Sequence, residues 1–238
     1  MFGKSRSFKA FGTLLMAFGL AGLPTITQAA TPVVVSISKI DKSQVGKYVT
    51  IKATLLEAGN FSKGFKFVAG DDTGKMGVTY FENTWDTLPK PELLKIGAVV
   101  QITGKVSEYQ GEFEIVPNRG RETLVLSPTI PISRTARDLG GLNNGDFGAI
   151  VFVSGEVYSV EPFDGGSEVV ISDKTGAQKV RLWNVVAKRV AKEVLVKGTK
   201  VNVIGKVKTS KKTGLRVEVA LPSDVTVVKQ PSAVSVYP

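Results

Sequence analysis

The feature that most constrains the fold of this 238-residue chain is an internal repeat. Residues 45–81 align with residues 147–183 at a constant offset of 102, and residues 94–106 align with residues 195–207 at an offset of 101. The aligned glycines and aromatics include Gly46 and Gly148, Phe61 and Phe163, Gly64 and Gly166, Gly74 and Gly176, and Phe81 and Trp183. Because the offset changes by only one residue, the pattern predicts two copies of one domain that differ in a loop.

Each copy has the pattern of a β domain. The segments YVTIKATL and IVFVSGEV alternate apolar and polar residues, which is typical of half-buried strands. Tight turns that end in glycine follow at 72–74 and 174–176, as in a hairpin, and we expect these turns to be structural. Further alternating segments predict the order strand, strand, strand, helix, strand, strand in both copies.

The segment between the third and fourth strands differs between the copies. In the first copy, Pro89 and Pro91 allow at most a short helix that begins near Pro91. In the second copy, residues 184–198 predict a clear helix after Trp183, closed by Gly198. Residues 118–146 are rich in glycine, proline and asparagine, and predict a partly irregular connection between the copies.

This order resembles the OB-fold, a five-stranded barrel that binds oligonucleotides or oligosaccharides. The resemblance covers nearly all of residues 33–228. It is carried by the Asp-x-Thr-Gly motifs at 71–74 and 173–176, by the strands that end in Phe81 or Trp183, and by the later strands that end in Gly-Lys-Val. The chain is similar to the nucleic-acid-binding OB domains of tRNA-binding modules, replication protein A and secreted nucleases, and also to small periplasmic bacterial OB-fold proteins. The resemblance implies an all-β protein with two tandem five-stranded OB-fold barrels, each with a helix or short helical segment between strands three and four.

The amino terminus has the pattern of a secretory signal peptide. A basic start is followed by the apolar residues 10–24 and by small residues around Gln28. The apolar run is shorter than the ~20 residues of a membrane span, so we expect cleavage rather than the alternative, an uncleaved anchor. The predicted layout is a signal peptide at 1–29, a first barrel at 30–127, a linker at 128–146 and a second barrel at 147–238. The mature chain would carry no membrane span and would work in a periplasm or outside the cell.

The amino-acid composition limits the catalytic and metal-binding groups that the chain can offer. The chain contains no cysteine and no histidine, which removes thiol nucleophiles, the commonest general base and the commonest zinc ligands. The adjacent carboxylates Asp71 and Asp72 lack the further spaced ligands that calcium requires. We therefore predict a non-enzymatic protein without catalytic residues, metal or cofactor.

The basic charge is concentrated in the second copy. Without the predicted signal peptide the chain has 28 basic and 21 acidic residues. Residues 31–127 have a net charge of +1, whereas residues 128–238 have a net charge of +6. An anionic partner such as nucleic acid suits this excess, although general solubility is the simpler explanation.

The candidate ligand face is the one that the second and third strands of an OB barrel present. If Val180 and Leu182 point inward, Lys179, Arg181 and Trp183 point outward, where cations neutralise phosphates and an indole stacks on a base. Phe163, in the predicted first loop, and a basic hairpin at 206–216 would complete the face. The predicted nucleic-acid-binding residues are Lys179, Arg181, Trp183, Phe163, Lys206, Lys208, Lys211, Lys212 and Arg216.

The same residues admit a structural interpretation. Trp183 then covers the end of the barrel, Lys179 and Arg181 pair with Glu168, and the Lys211-Lys212 pair belongs to a solvated turn. The first copy lacks the cations, and its hairpin at 105–114 carries three glutamates that would repel phosphate. Most of its aromatic residues are expected in the core, with a sugar or a protein as an alternative ligand for the others.

We therefore predict an exported protein that binds single-stranded or extracellular nucleic acid through the second barrel. The alternative is a periplasmic or extracellular structural or interaction module that binds protein or polysaccharide. The sequence leaves open DNA against RNA, the oligomeric state and the exact destination.

The amino-terminal pattern gives a first testable prediction. Because small residues flank Gln28 directly after the apolar run, the mature chain should begin at or near Ala30. Amino-terminal sequencing of the exported protein checks this, and an exported chain that still begins at Met1 would contradict it.

Overall fold

A computed structural model describes residues 33–129, 136–210 and 214–228. The predicted signal peptide and two of the predicted site residues, Lys211 and Lys212, lie outside the described residues. The described chain is almost entirely β and forms two six-stranded sheets, which confirms the all-β class and the two tandem OB barrels.

The two barrels contain equivalent elements. The first consists of β1 (Tyr48–Phe61), β2 (Gly64–Asp71), β3 (Gly74–Phe81), α1 (Glu82–Trp85), β4 (Val99–Tyr109), β5 (Glu112–Val116) and β6 (Thr123–Ser127). The second consists of β7 (Ile150–Phe163), β8 (Gly166–Ser172), β9 (Ala177–Trp183), α2 (Asn184–Ala187), β10 (Lys200–Ser210), β11 (Gly214–Glu218) and β12 (Val225–Val227). Short 3₁₀ helices occupy Ile37–Lys39, Lys42–Gln44, Pro91–Leu93, Gly120–Glu122, Leu139–Gly141, Asn144–Asp146, Lys192–Leu195 and Pro222–Asp224.

Each barrel closes through one parallel and several antiparallel strand pairs. β1 pairs with β2 and β4, β2 with β3, and β4 with β5, all antiparallel, while β3 pairs with β5 in parallel. The second barrel repeats these pairings. A sixth strand was not predicted in either copy: β6 and β12 extend the sheet along β4 and β10. Both are short, and β6 falls in a region whose surrounding glycines and prolines indicated a loop.

Closure requires β4 and β10 to bend, and each bends at a glycine. β4 pairs with β1 through residues 99–105 and with β5 through residues 105–109. A Cβ at Gly104 would lie 2.5 Å from Ile115 Cγ2 and 2.8 Å from the Pro117 nitrogen. A Cβ at Gly205 would lie equally close to Val217 Cγ1, at 2.5 Å. The glycine of the repeated Gly-Lys-Val motif therefore allows β5 or β11 to pack against the bend.

The Asp-x-Thr-Gly turn ties the segment before β1 to the barrel. Asp71 Oδ1 accepts hydrogen bonds from the backbone N–H and the hydroxyl of Thr73, at 2.7 and 2.6 Å, and from the Gly74 N–H at 3.0 Å. Asp71 Oδ2 accepts the N–H of Ile37 at 2.8 Å, and Thr73 Oγ1 accepts the N–H of Ser38 at 3.1 Å. The turn is structural, as expected.

The second copy reproduces this set of hydrogen bonds, which we call the Asp-x-Thr-Gly lock. Asp173 Oδ1 accepts from Thr175 and Gly176, while Asp173 Oδ2 accepts the N–H of Leu139 at 2.9 Å. These hydrogen bonds, that of the Thr175 hydroxyl foremost, lower the pKa of Asp173 to about 2. The carboxylate therefore stays ionised and continues to accept its donors throughout the range in which most proteins work.

The clear helix that was predicted after Trp183 is not observed. α2 contains only four residues, and a separate 3₁₀ helix at Lys192–Leu195 follows. The backbone at Ala191 is extended, with φ −57° and ψ 138°, which separates the two segments. The segment is rich in valine, whose β-branched side chain disfavours helix, and α2 ends at Ala187, directly after the buried Val185 and Val186. Among the described residues, none of the helices is long and apolar enough to span a membrane.

Most aromatic residues of the first barrel belong to its core, as expected. Phe65, Tyr80 and Trp85 are buried, and the ring centroids of Phe65 and Trp85 lie 4.0 Å apart. The Tyr80 hydroxyl shares a hydrogen bond of 2.8 Å with Thr123 Oγ1. The burial of its ring raises the pKa of Tyr80 far above the usual value.

A cluster of charged residues clamps the two barrels together. The guanidinium of Arg189, after α2, donates to both carboxylate oxygens of Asp86 at 2.6 Å and to Glu82 at 2.9 Å. It also lies over the ring of Phe65, with 5.8 Å to the centroid. Lys188 forms a second ion pair with Glu82. The side chain of Arg189 is largely buried, and a bidentate arginine–carboxylate contact fixes geometry more firmly than a single exposed ion pair does.

Polar contacts to the backbone extend this interface. Asn60 Nδ2, at the end of β1, donates to the carbonyls of Val219 and Ala220 at 2.9 and 3.0 Å. Lys95 Nζ donates to the carbonyl of Ser223 at 3.4 Å. Burial next to this contact raises the pKa of Asp224 to about 6.

The bend at Gly104 gives a prediction about stability. Gly104→Ala should lower the free energy of unfolding by about 1–3 kcal/mol, because the added methyl group overlaps Ile115 and the backbone of Pro117. Gly59→Ala is the matched control, since a Cβ there meets nothing within 4 Å, and it should change stability by less than about 0.5 kcal/mol. Urea denaturation of both variants measures the difference, and equal effects would contradict the packing argument.

Asp224 gives a prediction about pH. Its pKa in the folded state is about 6, above the usual value of 3.8, so the folded protein binds a proton more tightly than the unfolded chain does. The free energy of unfolding should therefore fall as the pH rises from about 4 to about 6. Asp224→Asn should remove this slope and stabilise the protein above pH 6 by about 1–2 kcal/mol, a value reduced for partial exposure. Thermal denaturation from pH 4 to pH 8 checks this; an unchanged slope in the variant would contradict it.

Candidate nucleic-acid interface

The alternation of β9 separates a core face from an outward face. Val180 and Leu182 are buried, whereas Lys179, Arg181 and Trp183 lie on the opposite side of the strand, as the alternation predicts. β8 lies on one side of β9 and β11 on the other. The outward residues of these strands therefore form one surface, which we call the β9 face.

An aromatic pair lies at one end of the β9 face. The rings of Phe163 and Trp183 meet edge to face, with centroids 5.6 Å apart. A Cβ at Gly165 would lie 2.8 Å from the Trp183 ring and 2.9 Å from the Phe163 ring, so glycine allows the rings to pack on this turn. Phe163 is the last residue of β7 and not part of a loop, which corrects its predicted position. The hairpin loop that follows it contains only two residues, because Phe163 pairs directly with Gly166.

The guanidinium of Arg181 covers this aromatic pair. Its Cζ lies 4.9 Å from the centroid of Phe163 and 5.8 Å from that of Trp183. Both distances are within the range of cation–π interactions. Trp183 is partly buried and also packs against the core, so it contributes to the barrel end as well as to the surface.

Glu168 pairs with both cations of β9. Its Oε1 lies 2.7 Å from Lys179 Nζ, and its Oε2 lies 2.7 Å from Arg181 Nη2. Burial opposes ionisation of Glu168, but the hydrogen bonds from the two cations outweigh it and lower its pKa. The structural interpretation of these residues is therefore correct in this respect: β9 carries cations that already have a partner.

The β10–β11 hairpin places further basic residues beside β9. Lys208 pairs across the hairpin with Arg216, and Lys206 pairs with Glu218. Glu218 in turn lies opposite Arg181 in the parallel pairing of β11 with β9. Lys206 is exposed, and Arg216 Nη2 lies 3.4 Å from Glu218 Oε2. The structure thus brings together seven of the predicted site residues, namely Phe163, Lys179, Arg181, Trp183, Lys206, Lys208 and Arg216.

The first barrel carries the same aromatic pair with a different cation. Phe61 and Phe81 meet edge to face, with centroids 5.9 Å apart. Lys66 Nζ, from β2, lies 5.3 Å from the centroid of Phe61 and 4.6 Å from that of Tyr109. Sequence reasoning missed Lys66. The offset of 102 aligns it with Glu168, so the alignment would have shown that a cation in the first copy stands where the second copy has a carboxylate.

The remaining charges of this first face are mostly acidic. Glu114, which aligns with Arg216, accepts a hydrogen bond of 2.6 Å from the hydroxyl of Thr79, which aligns with Arg181. An open groove beside these residues is lined by Glu57, Asn60, Lys66, Thr79, Tyr109, Glu112 and Glu114. Carboxylates in this number suit neutral or cationic groups better than phosphates.

Carboxylates do not gather into a metal site in the described part of the chain. Within residues 33–129, 136–210 and 214–228, no group of three or more Asp or Glu residues is arranged to hold a metal ion.

The two closed barrels with repeated aromatic faces define a tandem OB-fold protein. Residues 49–122, which cover most of the first barrel, match the family model described as OB-fold nucleic acid binding domain. No curated protein matches the chain by sequence.

Several solved structures are similar to the chain at low sequence identity. A replication protein A heterotrimer bound to single-stranded DNA is 19% identical, with 84% of this chain and 52% of that chain covered and a TM-score of 0.44. The p204 HINb domain is 17% identical, with 74% and 95% covered and a TM-score of 0.34. A murine DNA-binding protein bound to double-stranded DNA is 15% identical, with 76% and 99% covered and a TM-score of 0.33.

Proposed function

We propose that the protein is an exported, non-enzymatic binder of single-stranded nucleic acid and that the β9 face of the second barrel is its main binding site. The observation that carries this proposal is the arrangement of Arg181 over Phe163 and Trp183, at 4.9 and 5.8 Å from their centroids, on an outward strand face. Single-stranded nucleic acid is bound by this combination of cations for the backbone and rings for the bases.

The residues of the β9 face divide into two roles. Trp183 and Phe163 offer ring surface on which a base stacks, and Arg181 adds a planar cation to the same stack. Lys206 and Lys208, on the β10–β11 hairpin opposite Glu218 and Arg216, neutralise phosphates. The higher net charge of the second half of the chain supports the same assignment.

The family match supports the proposal indirectly, through the internal repeat. The matched residues 49–122 belong to the first barrel, and the second barrel is a copy of it with more cations. Export is supported by the basic start, the short apolar run and the small residues near Gln28.

The first barrel favours a second candidate, the binding of polysaccharide or protein. Tyr109 and Phe81 are exposed, and the neighbouring groove is lined with carboxylate and amide groups. Exposed rings next to hydrogen-bonding side chains suit an uncharged ligand. The carboxylates of the groove repel phosphate, so nucleic acid would not compete with such a ligand for this groove. A binding titration with neutral oligosaccharides tests this candidate.

The proposed roles of Lys206 and Trp183 give distinct expectations. Lys206→Ala should weaken binding to all single-stranded sequences and lower the salt slope by ~0.7, the value for one phosphate on a single strand. Trp183→Ala should cost about 1–3 kcal/mol of affinity through lost stacking, with little change in the salt slope. Fluorescence anisotropy with labelled oligonucleotides at several salt concentrations measures both quantities.

Phe81→Ala is the matched control, since Phe81 occupies the equivalent position in the less basic barrel and should matter less for binding. Circular dichroism must first show that each variant is folded, because Trp183 also packs against the core. If the wild-type protein fails to bind single strands at low salt, or if Phe81→Ala weakens binding as much as Trp183→Ala does, the proposed function is wrong.

A further inference from the structure

The most buried carboxylate of the described β9 face is Glu168. The residue is 8% exposed, and each carboxylate oxygen contacts one cation of β9 at 2.7 Å. On the neighbouring strand, Glu161 lies opposite Glu168 in the β7–β8 pairing and is exposed. A site built only to attract anions would not place two carboxylates among its central cations.

We propose that Glu168 is a specificity-determining residue that lets the β9 face discriminate between single-stranded nucleic acid and polyanions that carry no bases. This inference rests on the proposed function and assigns a selective role to one residue of that site. Its physical basis is repulsion of the wrong ligand, a device that specific binding sites use alongside attraction of the right one.

The position of Glu168 determines which part of a ligand it repels. It holds Lys179 and Arg181 at the centre of the face, next to the rings of Phe163 and Trp183. A phosphate at this centre would approach a carboxylate and would have to take the two cations away from it. A base at the same place is uncharged, and it gains the ring contact without disturbing the ion pairs.

Glu168 should therefore lower the affinity of the β9 face for the two kinds of ligand by different amounts. A single-stranded nucleic acid places its bases on the rings and its phosphates along the rim, where Lys206 is exposed and Lys208 is half-buried. Inorganic polyphosphate has a charge on every link and therefore has no uncharged part to place over Glu168. The carboxylate should weaken polyphosphate binding strongly and nucleic-acid binding little.

The first barrel shows that the fold does not require a carboxylate here. Lys66 aligns with Glu168 and lies over Phe61 and Tyr109. The backbone pairing of β2 with β3 matches that of β8 with β9 position by position, so closure of the barrel does not depend on the charge of this side chain.

The experiment compares a dT oligonucleotide with polyphosphate of the same number of phosphates, for the wild-type protein and for Glu168→Gln. In the variant, the affinity for polyphosphate should rise by about tenfold and that for the oligonucleotide by less than about threefold, so that the preference for nucleic acid falls. Glu193→Gln removes the same charge from an exposed position in a 3₁₀ helix outside the β9 face. This control should leave the preference unchanged.

A second variant covers the case in which Glu168→Gln fails to fold, since Arg181 is only 14% exposed and would lose its partner. Lys179→Gln leaves Glu168 with one cation, and because Lys179 is 43% exposed the fold should persist. Its preference for the oligonucleotide over polyphosphate should increase by about threefold or more. A fall or no change in this ratio would overturn the inference.

The outcomes for the two proposals are distinct. If the wild-type protein binds the dT oligonucleotide and Glu168→Gln shows the same preference as wild type, the discriminating role of Glu168 is wrong and the proposed function stands. If the wild-type protein binds neither ligand at low salt, the proposed function is wrong and the inference falls with it.

Discussion

Both barrels depend on long strands that bend so that each serves two neighbours. β1 pairs with β4 along its first half and with β2 along its second half, and the register shifts between Leu55 and Glu57. β4 turns at Gly104, where any side chain would collide with β5. Closing the sheet in this way pairs β1 with β4, so neither strand is left as an open edge. It also brings the third strand beside the fifth, and this parallel pairing places the β10–β11 hairpin next to Arg181.

The sequence was sufficient to predict the two OB barrels because the relevant signals are local or repeated. The alternation around Val180 and Leu182 assigned one face of β9 to the core, and the constant offset fixed the number of barrels. The helix after Trp183 was predicted to be too long, because α2 ends at Ala187 and the extended backbone at Ala191 interrupts a valine-rich segment with low helix propensity. β6 was missed because five apolar-alternating residues beside prolines are compatible with a loop as well as with a strand.

The candidate site was predictable in its residues but not in its contacts. The outward direction of Lys179 and Arg181 follows from strand periodicity. Their shared partner Glu168 was one of two open alternatives, because strand periodicity gives the direction of a side chain but not the group that it contacts. The contact of Lys66 with Tyr109 was missed because it joins strands that are distant in sequence.

The hydrogen bonds of the structure differ widely in the number of residues that separate their partners in the sequence. Each Asp-x-Thr-Gly lock joins residues 34 positions apart and lies within one barrel. The clamp of Arg189 on Asp86 joins residues 103 positions apart, and the contact of Asn60 with Val219 spans 159. Longer loops cost more entropy to close, and these distant contacts need both barrels as templates. We therefore expect each barrel to acquire its own architecture first and the two barrels to dock in a separate, later step.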